Sequence, residues 1–468
     1  MKSGLGKRML EKKIITETQL KRALERQRLR GGRLGYNLIA LGIISEEDLE
    51  TVLSRVPTPP QTLEETGLPA TFLFDLVLKH IYFMSEFNIS EVIARLKLPR
   101  AIVERLLDEL RQERMLEVRG ATQLVKATYR YVISEQGKKR ASDLLEACRY
   151  VGPAPITLEE YRAIIEIQTV KNIMVDEKDI SQAFADIVIS ETMLRSLGPA
   201  VSSGRAIFLY GPPGNGKTTI AETIGTVLPG TVFMPYALLV GGELITVYDP
   251  VNHVAVESSH SEEEQDQRWL EVRRPVVMVG GELTLQTLEL NFNPIAKIYE
   301  APLQMKANNG LFIVDDFGRQ QIDPQRLLNR WIVPLERRTD FLALHTGMKF
   351  EIPFDELVVF STNLDPKTLV DEAFLRRIRY KIKIDHPSIS EYEEIFRKVC
   401  DSNEIEYSQE IFNYLIDNFY IPINAKLNSC HPRDLIDHII DGAHYNNYPA
   451  RLTRESITAA WNNYFVEL

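Results

Sequence analysis

The chain of 468 residues reads as a multidomain protein. The expected parts are a small all-α repeat domain, a winged-helix-like domain, and an α/β P-loop domain closed by an α-helical lid. Three observations predict this. GPPGNGKT (211–218) follows an apolar, strand-like run and opens a helix-like one. Residues 4–27 recur at 33–56 with an offset of 29. Two proline-rich breaks, VPTPPQTLEETGLP (56–69) and VGPAP (151–155), part stretches of different charge. The expected boundaries are 1–56 for the repeat, 57–68 for a linker, 69–151 for the winged-helix-like unit, 156–387 for the α/β core with β-hairpin insertions, and 388–468 for the lid.

Composition narrows the classes. With 44% hydrophobic and 26% charged residues the balance is globular, which excludes a disordered, collagenous or coiled-coil chain. The net charge of −10 argues against a chain that wraps nucleic acid along its whole length. Cys148, Cys400 and Cys430 form no CxxC pair, and the histidines show no HExxH spacing, so a disulfide framework or a metal hydrolase is not expected. MKSGLGKRMLEKK at the N-terminus has no apolar core, and apolar runs such as AIFLY (206–210) are too short to span a bilayer. A cytoplasmic protein without membrane insertion follows.

The first unit carries 12 Lys/Arg against 7 Asp/Glu in an otherwise acidic chain. Its two copies align Leu5/Gly6 with Leu34/Gly35, Ile14/Ile15 with Ile43/Ile44, and Leu20 with Leu49. Each copy reads as a short apolar helix, a turn, a Thr16 or Ser45 cap, then an amphipathic helix. Two helical hairpins packed as a small adaptor is the plainest outcome. RLGYNLIALGIISEEDLETVL (33–53), with a five-residue spacer at 28–32, resembles the N-terminal module of type II secretion and type IV pilus assembly ATPases. That resemblance implies cyclic di-GMP as ligand. Arg33 would fork onto phosphate or stack on guanine. Leu34 and Gly35 would offer backbone approach, and Leu5, Gly6 and Gln27 would line the other half. The first copy departs from the pattern at Gly4 and Lys13, which predicts weak to moderate binding.

The second unit has the order of a winged helix, its third helix being PRAIVERLLDELRQERM (99–115). Arg100, Arg105, Arg111 and Arg114 are offset there by Glu104, Asp108, Glu109 and Glu113. Alternating signs fit a solvated face with i,i+4 pairs, so protein docking is favoured over DNA binding.

In the third unit, Gly211, Pro212, Pro213, Gly214, Asn215, Gly216, Lys217, Thr218 and Thr219 form a phosphate cradle of backbone N–H groups at a helix N-terminus. Lys217 is expected to reach the β/γ oxygens of ATP, and the Thr218 hydroxyl to bind Mg²⁺. LFIVDD (311–316) is an apolar strand ending in two carboxylates. Asp315 belongs in the Mg²⁺ shell, and Asp316 would polarise the attacking water. ELVVFSTN (356–363) is a further buried strand whose exit residue, Asn363, can orient that water. DEAFLRRIRYKIKI (371–384) ends a helix with two arginines and enters a strand. GGELITVYDPVNHVAVE (241–257) and RRPVVMVGGELTLQTLEL (273–290) read as strand-rich hairpin insertions.

In this order the motifs resemble those of AAA+ ATPases over about 180–468. The resemblance implies Asn363 as sensor 1, Arg377 as the arginine finger with Arg376 its rival, and Arg433 in CHPRDL as sensor 2. It also implies a homo-oligomeric ring, hexameric by the family pattern, acting on a protein client. Asp316 departs from the usual Glu by one methylene, which admits slow turnover. A remodelling or assembly motor is the leading expectation. A DNA-bound regulatory ATPase and a slowly hydrolysing nucleotide-dependent scaffold are the alternatives.

Overall fold

The computed structural model describes residues 6, 9–10, 14–32, 34–45, 48–49, 56–119, 129–173, 175–258, 260–261, 263–369 and 372–465. Arg33, Leu5, Gly4 and Lys13 lie outside these residues.

In the first unit α1 (Glu17–Arg30) packs against α2 (Leu34–Ala40). Thr16 caps α1 through a capping box with Gln19. Twenty-nine residues on, Ser45 Oγ accepts the Asp48 N–H at 2.9 Å while Asp48 Oδ2 accepts the Ser45 N–H at 3.0 Å. The core repeats too. A Cβ added to Gly6 would meet Leu20 Cδ1 at 2.8 Å, and one added to Gly35 would meet Leu49 Cδ2 at 2.9 Å. Both glycines are there because a leucine occupies the space of a side chain.

The segment 56–68 is packed rather than free. Pro57, Pro60, Leu63 and Leu68 are buried, and Pro57 O accepts the Asp266 N–H at 2.7 Å. The next unit runs α3 (Ala70–Tyr82), α4 (Ile89–Leu96), α5 (Arg100–Gln112), β1 (Leu116–Val118), β2 (Tyr131–Ile133) and α6 (Glu135–Ala147). β1 and β2 pair antiparallel. Charges on α5 pair as the spacing predicts: Arg100 with Glu104 at 2.8 Å, and Arg105 with Glu109 and Glu64 at 3.1 Å each. The apolar core of this unit continues onto Ala237 and Leu244 of the sheet described next.

The remainder is mixed α/β. Chain order is β3 (Ile156–Thr157), α7 (Leu158–Ile167), α8 (Glu177–Ala183), α9 (Glu191–Ser202), β4 (Ile207–Tyr210), α10 (Lys217–Val227), β5 (Thr231–Pro235), β6 (Ala237–Val240), β7 (Glu243–Thr246), β8 (Trp269–Arg273) and β9 (Val276–Val279). There follow β10 (Asn291–Asn293), β11 (Ile298–Glu300), α11 (Leu303–Lys306), β12 (Leu311–Val314), α12 (Pro324–Arg337), β13 (Thr339–Ala343), β14 (Lys349–Pro353), β15 (Leu357–Thr362), α13 (Pro366–Leu369), α14 (Glu372–Leu375) and β16 (Tyr380–Lys383). A parallel sheet has the order β16-β4-β15-β12-β9. Its central strands are buried on both faces, which is why they read as unbroken apolar runs. Alternate residues divide between two cores. Ile207, Leu209, Leu311, Ile313 and Val359 meet α9 and α10, while Phe208, Phe312, Val314 and Phe360 meet Trp331 of α12.

A second sheet, β10-β11-β7-β6-β3, packs with the antiparallel pairs β5/β8 and β13/β14 around Trp269 and Tyr299. The segment 273–290 therefore departs from the expected hairpin: β9 is the edge strand of the parallel sheet, and the segment beyond it turns through Gln286–Leu288 as 3-10 helix. A buried polar network ties the segment after α7 to the turns before β12 and β15. Asp355 accepts from Asn309 Nδ2, the Val170 N–H and Thr169 Oγ1 at 2.7–2.9 Å, so both of its carboxyl oxygens have partners.

Helices α15 (Ile389–Ser402), α16 (Gln409–Leu415), α17 (His431–Tyr445) and α18 (Arg454–Tyr464) close the chain, with a π-helical turn at Ile416–Tyr420. Among the described residues no helix is long and apolar enough to cross a membrane.

Candidate phosphate-binding site

The site lies at the C-terminal ends of the parallel strands, where β4 turns into α10. Gly211 has φ +145° and Gly214 has φ +77°, conformations that residues with a Cβ rarely adopt. A Cβ at Gly211 would also run into the Ile384 carbonyl oxygen, and one at Gly214 would stand 2.7 Å from Cys430 Sγ. The loop conformation therefore depends on these glycines twice over.

Lys217 opens α10 with its ammonium turned back into the loop, donating to Pro212 O at 2.7 Å and Gly211 O at 3.1 Å. Burial lowers its pKa, while Asp316 and Asp315 pull the other way. Thr218 Oγ1 donates to Asp315 Oδ2 at 2.9 Å, across the intervening strand β15. Asp316 is exposed, and Asn363 Nδ2 donates to its Oδ1 at 3.1 Å. Five residues from three separate motifs thus share one cleft of about 560 Å³.

The helical segment closes the other side. Gly214 O accepts the Cys430 N–H at 2.8 Å, and Asn215 Oδ1 accepts the Ser429 N–H at 3.0 Å. Arg433, on the first turn of α17, lines the cleft, as do Pro213, Gly216 and Thr219. Arg377 does not. Its Nε donates to Glu336 Oε1 at 2.6 Å, near the end of α12.

An apolar wall completes the cleft and escaped the sequence reading. Ile187, Val188 and Ile189 precede α9, and Ile395 and Val399 sit on α15. Lys398 Nζ ties the two sides by donating to Ala185 O at 2.8 Å. The apolar triplet at 187–189 was the available signal, but nothing local connects it with residues some 200 positions away. Polar groups at one end and an aliphatic slot at the other suit a ligand with an anionic tail and a flat apolar body.

In the repeat unit, Gly6, Leu34 and Gly35 are buried in the helical core, and Gln27 Nε2 donates to Gly32 O at 2.9 Å. The three cysteines are free thiols.

Residues 388–463 match the model of a domain of unknown function, DUF8689. No curated protein matches the chain by sequence. Among solved structures the chain is similar to NtrX from Brucella abortus in complex with ADP, at 12% identity over 60% of this chain and 56% of that one, with a TM-score of 0.36. It is also similar to the Thermotoga maritima RuvB Holliday junction branch migration motor, at 13% identity over 62% and 70%, TM-score 0.32. A third is domain III of the Thermotoga maritima replication initiation protein DnaA, at 12% identity over 62% and 99%, TM-score 0.35. The chain spans little more than half the length of NtrX. With TM-scores of this size, the fold rests on the strand order and burial given above.

Proposed function

We propose that the chain is a Mg²⁺-ATP-dependent ATPase of the AAA+ class that works as a ring and remodels or assembles a protein client. The observation that carries this is the 2.9 Å bond from Thr218 Oγ1 to Asp315 Oδ2. A hydroxyl on the P-loop helix and a carboxylate at the exit of β12 meet in a cleft that has the polar and apolar halves a nucleotide needs. The residues fit the metal: a hydroxyl and a carboxylate are hard oxygen donors, and substrate phosphates would complete the shell. When bound, Mg²⁺ neutralises charge on the transferring phosphoryl group.

The chain's own residues supply the rest. Backbone N–H groups of 213–218 hold the phosphates, and the Lys217 ammonium exchanges its two loop carbonyls for phosphate oxygens. Asp316 takes the proton of the attacking water, Asn363 orients that water, and Arg433 brings positive charge from the helical lid. Arg377, placed off its own cleft, is assigned to a neighbour's site. Lys217→Ala should abolish hydrolysis and weaken ATP binding sharply. Arg377→Ala should bind ATP yet hydrolyse poorly, and mixing the two variants should restore part of the activity. Wild-type turnover in Lys217→Ala would overturn the reading.

The middle unit is assigned to protein docking, because the α5 arginines are already engaged by carboxylates. For the repeat unit we assign regulation by an anionic ligand, cyclic di-GMP by the resemblance. The basic α1 supports this. Since Gly6, Leu34 and Gly35 serve the core, Arg33 carries most of the expected affinity. Calorimetric titration of the full chain tests it: no heat, or heat unchanged in Arg33→Ala, leaves the adaptor reading.

A further inference from the structure

We propose that Gln320 is the positioning residue that sets the Asp316 carboxylate for catalysis; the proposal rests on the ATPase reading of the cleft. Gln320 is half-buried and does not line the cleft. Its Nε2 donates to Asp315 O at 2.8 Å and to Asp316 O at 3.2 Å, while its Oε1 accepts the Gly318 N–H at 2.8 Å. The partners fix the orientation of the amide. Two carbonyls can only accept and a backbone N–H can only donate, so the reversed amide would leave all three unmatched.

What this side chain holds is unusual. Asp316 stands at φ +47°, in the left-handed region, uncommon for any residue but glycine and tolerated best by Asp and Asn. The turn is tied from several directions: the Arg319 N–H donates to Asp316 O at 2.9 Å, the Phe317 N–H to Ser361 O at 2.7 Å, and Thr362 Oγ1 to Phe317 O at 2.6 Å. Asn363 grips the carboxylate end of Asp316 and Gln320 the carbonyl end. An Asp carries its carboxylate one methylene closer to the backbone than a Glu does. Where that backbone stands therefore decides where the carboxylate lies, and the left-handed turn braced by Gln320 is how this chain works with the shorter acid.

The test uses the full chain with substitutions at Gln320 and Asp316. Gln320→Met keeps the shape and removes all three bonds; Gln320→Glu keeps the acceptor for Gly318 but turns an oxygen toward the two carbonyls. Both should bind a non-hydrolysable ATP analogue within about twofold of wild type. Both should lose kcat by about tenfold, the rate equivalent of one or two neutral hydrogen bonds. A double-mutant cycle then separates positioning from mere structure. In an Asp316→Asn background, read by single-turnover phosphate release, Gln320→Met should cost nothing further. An equal loss in both backgrounds, or wild-type kcat in Gln320→Met, overturns the proposal. Should Gln320→Met prove unstable by thermal unfolding, Gln320→Asn, with the amide on a shorter stem, replaces it in the same cycle. If wild type itself fails to hydrolyse ATP in a Lys217-dependent way, the reading of the cleft falls, and that result is distinct from either outcome for Gln320.

Discussion

Gly6 and Gly35 stand 29 positions apart, and so do the leucines they meet, Leu20 and Leu49. The repetition in the sequence is thus the repetition of one contact. Gly35→Ala puts a Cβ 2.9 Å from Leu49 Cδ2, and overpacking of this kind costs about 1–3 kcal/mol. Thermal unfolding should show that loss in the first unit with or without ligand, and an unchanged transition would mean that Leu49 moves aside at no cost. The Leu-Gly pairs illustrate what residues alone leave open. A glycine needed for close packing and one needed for ligand approach look the same in a sequence, and only the position of Leu20 and Leu49 separates them. Lys217, Thr218, Asp315, Asp316 and Asn363 were legible because each belongs to a short motif whose chemistry fixes its spacing. Gln320 was not, because its role depends on three backbone groups whose direction no side-chain pattern encodes.

At the scale of elements, β4, β12 and β15 could be read from continuous apolar runs, since strands buried on both faces have no polar alternation. β9 was legible as a strand from its apolar run Val276–Val279, but its place was not, because the partner strand β12 begins only at Leu311 and the segment between reads as a local hairpin. The wall formed by Ile187, Ile395 and Val399 was hidden for the same reason: it exists only once α15 folds back over the start of α9. The clasp between the P-loop and the turn before α17 is the element-scale feature most open to test. Asn215→Ala removes the acceptor of the Ser429 N–H while leaving Lys217 and Thr218 in place. One such bond is worth about 0.5–1.5 kcal/mol, so affinity for a fluorescent ATP analogue should fall about 2- to 13-fold. Equal affinity would show that the helical segment closes the cleft without help from this contact.

For the whole molecule, the buried histidines His80, His253 and His431 make stability depend on pH, burial lowering the pKa of each. Burial pushes His80 and His431 down to about 4. In the unfolded chain a histidine titrates near 6.5, so between about 6.5 and 4 the unfolded state binds more protons and stability falls as pH falls. Glu356 works in the opposite sense: full burial raises its pKa, so its protonated form favours the folded state toward acid. Comparing wild type with His431→Gln cancels that contribution. The advantage of wild type should shrink by roughly 1 kcal/mol per pH unit as pH drops from about 6.5 to 4.5, measured by urea unfolding at each pH. A constant difference would show that His431 charges without cost, although its bonds to Tyr420 and Asn428 would have to rearrange.

The strand order has a consequence for the chain while it is being made. Among the described residues β4 pairs with β15 and β16, and β15 begins at Leu357. Between them the ribosome must add about 150 residues, including both antiparallel pairs packed on the second sheet and every strand of that sheet except β3. At about 5–20 residues per second that takes roughly 7–30 s. For that interval Ile207, Phe208 and Leu209, fully buried in the finished protein, have been made without the strands they pair with. The nascent chain is therefore most exposed to wrong pairing at the strand that leads into its phosphate-binding loop, and this is the stretch on which a ribosome-associated holdase would have most effect.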